Sequence, residues 1–381
     1  MALAVASLLA LPWTAEGDVP TDRIPNSVTL PAAYPDSWVF VYAMDYSVAV
    51  GSFAIVDVAA GTKEYKGQFQ GAFYPALIDA VNTPDLYVAE TFFEKGAHGA
   101  RTDVLTITEK STLQPVAQIT LPGAKRGILP GNVMDVTRDG RLALIFNFTP
   151  ASSVSVVNLD KRRVLSEVPV PGCTSVYPSG THGFSSLCAD GTLVSFTLDE
   201  KGRAVGEHRS TAFNDIEKDV LYLEPATAGT MSYFVSAQGN VWPIDMTTDA
   251  PAIGEPWPLM TREEAADGWR TADGPFVGLD ENGRLYVRLY RETGYDKQTD
   301  DNTEVWVYDV STRKRVGRIP LKNGGSSIDV TRGKTPYLVV TAAGDPSMGQ
   351  SIDVYDGSTG EYLRTIGGWH NSFLTLVQAR R

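Results

Sequence analysis

Apolar and polar positions alternate with period two through most of the chain, the spacing that puts successive side chains on opposite faces of a β-strand. One unit recurs: a strand ending in Asp or an equivalent, a short turn, then a strand carrying basic residues. It stands at 53–69 (FAIVDVAAGTKEYKGQF), 104–122, 154–171, 305–321 and 352–366, and weaker copies at 192–209 and 241–257 make seven. A second element, a turn followed by an apolar strand, precedes the copies, as in VTRDGRLALIFNF (136–148), LDENGRLYVRLY (279–290) and VTRGKTPYLVVTA (330–342). The Asp-Gly and Asn-Gly pairs in such turns supply the positive-φ positions that tight hairpins require. Each repeat thus holds about four strands in roughly 45–55 residues, the size of a propeller blade. The pattern predicts an all-β fold, a seven-bladed β-propeller, occupying residues 27–381 as one domain. No compositional break near the middle supports two domains. The segment SFLTLVQ (372–378) is the candidate to close the ring against N-terminal residues, so that sheet edges stay covered. Only MTREEAADGW (260–269) reads as helix, with Thr261 as N-cap and Glu264 three residues on, a capping box.

Composition narrows the function classes. The 381 residues include 35 Gly and 23 Pro and carry a net charge of −12. Nucleic-acid binding is not expected, because a phosphate-binding surface needs clustered Lys and Arg. The chain begins MALAVASLLALPWTAEGDVP, whose residues 2–11 form an apolar run of signal length with small residues behind it. Residues 1–15 are read as a secretory signal or its remnant, cleaved near Ala15, and 16–26 as an N-terminal arm. No Lys or Arg precedes the run, the one departure from a secretory leader. The run is too short to span a bilayer, so no membrane insertion is expected. Cys173 and Cys188 flank two short strand-like pieces and pair across a hairpin in this reading. A redox-active pair would normally show C-x-x-C spacing instead.

Self-contained catalytic machinery is not apparent. His98, His182, His208 and His370 lack the spacing of a zinc helix, and no nucleophile elbow, phosphate loop or dinucleotide fingerprint is present, so no metal is assigned. A lactonase-like hydrolase would need Glu, Asn and Asp converging on a central metal. Asn132, Asn147 and Asp135 are the candidates, but their spacing gives no support. Taken alone, the residues describe an exported propeller that binds, hydrolyses or scaffolds.

Four stretches in order carry a resemblance: QGAFYPAL at 70–77, ETFFEKGAHGARTDVLTI at 90–107 with its Gly99, Arg101, Thr102 and Asp103 elbow, Cys173 and Cys188 with CADG, and LMTREEAADGW at 259–269. Together they resemble the heavy subunit of the quinone-dependent amine dehydrogenases, the methylamine and aromatic amine dehydrogenases of the bacterial periplasm. The resemblance implies a propeller without cofactor or catalytic residue of its own. It implies a partner light subunit bearing tryptophan tryptophylquinone in an α2β2 assembly, a primary amine as substrate, and a cupredoxin or c-type cytochrome as electron acceptor. It makes the two cysteines the heavy-chain disulfide. It also makes Phe73 a residue at the mouth of the substrate channel. Tyr74 stands where relatives have smaller or aliphatic residues, which bears on substrate size. The segment Phe92–Asp103 reads as a long connection projecting toward the light chain, with Phe92, Phe93, His98, Arg101 and Asp103 as interface candidates. Arg101 and Asp103 pair with each other or across that interface; a plain surface ion pair in a solvated loop is the alternative. At the level of function, the competing expectation is a stand-alone exported propeller that binds or scaffolds without catalysis.

Overall fold

All seven repeat units fold as the third and fourth strands of seven antiparallel sheets, the blades of a propeller. The computed structural model describes residues 29–45, 50–80, 83–96, 98–127, 132–272, 276–292, 303–342, 349–369 and 373–379. The expected signal (1–15) and arm (16–26) lie outside the described residues.

Blade 2 is built from Phe73–Ile78, Asp85–Phe93, Arg101–Glu109 and Pro115–Thr120, in that order from the centre outward. Blade 3 runs through Met134–Val136, Leu142–Asn147, Ser153–Asn158 and Arg163–Pro169, and blade 4 through Cys173–Ser179, Gly183–Cys188, Leu193–Leu198 and Ala204–Arg209. Blades 5 to 7 follow in the same order, blades 5 and 6 each with one additional short strand. Blade 1 differs. Its strands Trp38–Asp45, Val50–Asp57 and Tyr65–Gly71 come from the beginning of the fold, but its inner strand is Phe373–Ala379. The closing segment read from the sequence does close the ring.

The burial pattern follows from this stacking. A blade buries both faces against its neighbours, so its middle strands are apolar or small throughout: LALIFN and SVSVVN are buried at every position. The outermost strands meet water, and AVGEHR is exposed along its whole length. The core is therefore divided. Seven apolar clusters each join two successive blades, for example Phe40 and Phe53 of blade 1 with Leu86 and Val88 of blade 2. Removing an aromatic of this kind from water stabilises by about 1.5–3 kcal/mol.

The Asp that ends the third strand has a local job. Asp309 accepts the peptide N–H groups of Ser311 and Thr312 at 3.0 and 2.8 Å, and Asp356 those of Ser358 and Thr359, both at 2.8 Å. These carboxylates shape the turn into the fourth strand by replacing a backbone acceptor. The one predicted helix, Arg262–Ala266, has Thr261 as N-cap, and both bonds of the capping box form. Glu264 also pairs with Arg315 of blade 6 at 2.7 Å, which pins the helix to that blade.

Candidate functional site

In an antiparallel blade the start of the inner strand and the hairpin between the second and third strands lie at the same end. In blade 2 this brings the two resemblance-bearing stretches together. Phe73 pairs with Thr91, and Thr91 pairs with Asp103. The connection between blades 2 and 3 arrives at the same place, because Leu121 donates its N–H to the Asp103 carbonyl at 2.8 Å.

The aromatic group forms by packing. Phe73 meets Tyr74 edge-on with ring centroids 4.8 Å apart and Phe93 edge-on at 5.8 Å, favourable quadrupole geometries. Phe73 and Tyr74 are half-buried, and Phe73 also packs against the apolar cluster shared by blades 1 and 2. Phe92, one position along its strand, points the opposite way and is exposed. His98 sits in the exposed hairpin tip, where its carbonyl accepts the Lys95 N–H at 2.9 Å. The tip is shorter than the sequence reading placed it. Phe92, Phe93, Arg101 and Asp103 are strand residues paired across the hairpin, and only 94–100 connects them. Cross-strand aromatic and polar pairs extend the ladder here, and Gly96 and Gly99 turn the chain at positive φ.

Arg101 and Asp103 pair with each other. The guanidinium is bidentate, Nε to Oδ1 and Nη2 to Oδ2, both at 2.9 Å. The pair is no solvated ornament, because the Asp103 side chain is fully buried. Asp103 also accepts from the Thr91 hydroxyl at 2.8 Å and from the Arg126 peptide N–H at 2.7 Å. A second carboxylate, Glu90, is buried beside it and accepts from Ala72 N–H at 2.9 Å and Thr106 Oγ1 at 2.5 Å. Desolvation raises its pKa above the ordinary glutamate value, against those two hydrogen bonds and the nearby Arg126 charge. Both oxygens of Asp103 and both of Glu90 are thus occupied from within the chain.

Arg126 was not visible as a site residue in the sequence. It lies in the turn LPGAKRG, where a basic pair after Pro-Gly reads as solvated surface. The structure buries it to 1 % exposure. Its side chain donates to Thr91 Oγ1, to the Gly127 carbonyl, and to the carbonyls of Phe73 and Tyr74. Burial lowers its pKa to about 10, partly offset by Asp103. Glu90 did leave a signal: it is a lone acid inside the apolar strand DLYVAETFF.

Farther round the ring, at the same end of the blades, Cys173 and Cys188 form a disulfide across the first hairpin of blade 4, as the spacing suggested. It borders an apolar hollow lined by Phe148, Leu187, Ile216, Val220 and Leu223. Of the lactonase trio, Asn132 bonds Asp135 and the Val176 carbonyl, while the Asn147 amide is taken by Ser153 and Ser155. Among the described residues no group of three or more His, Cys, Asp or Glu is placed to hold a metal ion.

The family model of the methylamine dehydrogenase heavy chain matches residues 38–372. The methylamine dehydrogenase heavy chain of Paracoccus versutus is 27% identical over 348 residues, 89% of this chain and 79% of that one. The heavy chain of Methylorubrum extorquens is 25% identical over 359 residues, 92% and 85% of the two chains. Among solved structures, a protein from Lactobacillus plantarum aligns with a TM-score of 0.58 at 11% identity, over 90% of this chain and 98% of its own. A dihydro-heme d1 dehydrogenase aligns at 0.54 and 15%, over 89% and 66%. At such identities structural likeness speaks for the fold alone. The family match spans nearly all the described blades, and on that ground the chain belongs to the methylamine dehydrogenase heavy chain family.

Proposed function

We propose that this chain is the heavy subunit of a periplasmic amine dehydrogenase that oxidises a primary amine to aldehyde and ammonia. In this reading the catalytic group is tryptophan tryptophylquinone on a partner light subunit. That group supplies the electrophilic carbonyl and takes up two electrons, which leave to a cupredoxin or c-type cytochrome. The assembly is α2β2. The observation that carries the reading is the family match, which runs from the start of blade 1 to the residue before the closing strand Phe373–Ala379.

The chain's own contribution is shape. Phe73, Tyr74 and Phe93 form a half-buried aromatic rim at the end of blade 2, where they select substrate by size and by contact with its apolar part. The neighbouring carboxylates do not serve as a base. Asp103 is saturated by Arg101, Thr91 and Arg126, and Glu90 by Ala72 and Thr106. Proton removal therefore falls to the partner. Phe92 and the exposed tip around His98 lie beside the rim and present the surface for that light subunit.

Purification of the native protein from the host periplasm tests this. A small co-purifying chain with a visible quinone band that bleaches on addition of an amine is the expected result. Methylamine and phenylethylamine compared in the same cuvette then assign the substrate class. A single colourless chain that no amine alters would exclude the dehydrogenase and leave a stand-alone binding propeller.

A further inference from the structure

Tyr74 has φ of 42°, a left-handed conformation unusual for a bulky residue. It lies where the pairing of Phe73–Ile78 with Asp85–Phe93 slips between Phe73 and Ala76. Such a slip bends the strand and removes ladder partners, and an L-residue held at positive φ is strained because its Cβ crowds the following carbonyl oxygen. The freed carbonyls do find a donor. Arg126 Nη2 reaches the carbonyl oxygens of Phe73 at 3.2 Å and Tyr74 at 3.0 Å. The guanidinium is itself anchored: Nε and the same Nη2 bond Thr91 Oγ1 at 3.2 and 2.8 Å, and Nη1 the Gly127 carbonyl at 3.1 Å. The backbone of Arg126 is clamped as well, its N–H by Asp103 at 2.7 Å and its carbonyl by Arg101 at 2.5 Å. The hairpin thus grips Arg126, and Arg126 grips the bulge.

We infer that Arg126 is a positioning residue, which holds the strained Phe73–Tyr74 bulge in one conformation and so sets the aperture of the aromatic rim. The inference rests on the reading that this rim lies on the substrate's way in. Nη2 spans the two carbonyls and the Thr91 hydroxyl while Nε and Nη1 fix its plane through Thr91 and Gly127; a lysine ammonium has three donors but no second nitrogen to fix their direction. The bracing is needed because Tyr74 is neither Gly nor Asn. A residue that adopts positive φ without strain would depend on it less.

The test is Arg126→Lys in the complete heavy–light complex, alone and with Tyr74→Asn. Two readouts are taken: the ratio of kcat/KM for phenylethylamine to that for methylamine, and hydrogen exchange of the peptide covering 72–78. Arg126→Lys is expected to change the ratio at least about five-fold, chiefly through KM of the aromatic amine, as loss of roughly a kilocalorie of positioning implies. Exchange in 72–78 is expected to rise, while that of the 173–188 hairpin stays as in the parent. In the Tyr74→Asn background the effect of Arg126→Lys shrinks. An equal loss for both amines, or unchanged exchange, overturns the inference, since a merely structural arginine would lower all activities together. If Arg126→Lys does not assemble, Thr91→Val removes one anchor of the guanidinium and carries the same two readouts with smaller shifts of the same sign. If the parent complex oxidises no amine, the functional reading fails and takes the aperture with it, and exchange in 72–78 alone decides the brace.

Discussion

Lys110 and Asp79 show how much one buried pair can carry in this fold. Their side chains are almost wholly buried, with Nζ 2.6 Å from the carboxylate, and Lys110 also donates to the carbonyls of Ala80 and Thr83. The pair ties the end of the third strand of blade 2 to the end of its first, at the end of the blade opposite the aromatic rim. Taking both charges out of water costs several kcal/mol each, which their attraction and extra hydrogen bonds offset. Lys110→Met alone leaves the Asp79 charge buried and is expected to destabilise the chain by about 3–5 kcal/mol in urea unfolding. Lys110→Met combined with Asp79→Leu should recover most of that loss. If the single change costs less than about 1 kcal/mol, the pair is not holding the blade. Neither residue stands out in the sequence, because Lys110 follows a strand and reads as an ordinary turn cation. Phe73, Arg101 and Asp103 were legible only through resemblance of their surroundings. That Arg101 and Asp103 pair with each other was one of two open readings, and only the geometry chose between them.

At the scale of elements, the turn between third and fourth strands recurs with the same chemistry and was readable from the repeat. Hydrogen bonds from Ser311 and Thr312 hold the Asp309 carboxyl at about 2, below the ordinary aspartate range of about 3.9. The sign follows from linkage. A group whose pKa is lower in the folded state adds stability above its unfolded pKa, and loses it as pH falls through the folded value. Asp309→Asn keeps the turn-forming carbonyl and removes the charge. The wild-type advantage in unfolding midpoint should be complete above about pH 5, shrink from about pH 4 downward and vanish near pH 2. A difference that does not change with pH would mean the charge contributes nothing. The capped helix was legible for the same reason: its signals lie within four residues of one another. The hairpin of blade 2 was misjudged in length, because its aromatics and its Arg-Thr-Asp read as loop chemistry until the partner strand placed them in a ladder.

For the molecule as a whole, stability rests on the closed ring. Each apolar cluster is shared by two blades, so no blade has a core of its own. The strand Phe373–Ala379 supplies the inner strand of blade 1, and Gln378 also donates to the Leu77 carbonyl of blade 2 at 3.1 Å. Deleting residues 373–381 would strip the inner edge of Trp38–Asp45 and leave it unpaired. Such an exposed edge invites pairing with another chain. The truncated chain is expected to elute as aggregates and to lose its single cooperative calorimetric transition. A monomer with the parental midpoint would show that the ring does not depend on this closure.

By itself the sequence determined what short-range chemistry encodes: the strand period, seven repeats, the Asp and Gly positions of the turns, one capped helix, and two cysteines close enough along the chain to meet across a hairpin. Those features depend on residues within a repeat, where backbone preference and alternation act directly. Only the tertiary structure decided the rim and its support. Arg126 meets Thr91, Phe73 and Tyr74 across separations of 35, 53 and 52 residues, and nothing in its neighbours announces that two backbone carbonyls will be waiting for it. Burial of a cation is a property of the space that several strands enclose, and that space exists only once the blades have stacked.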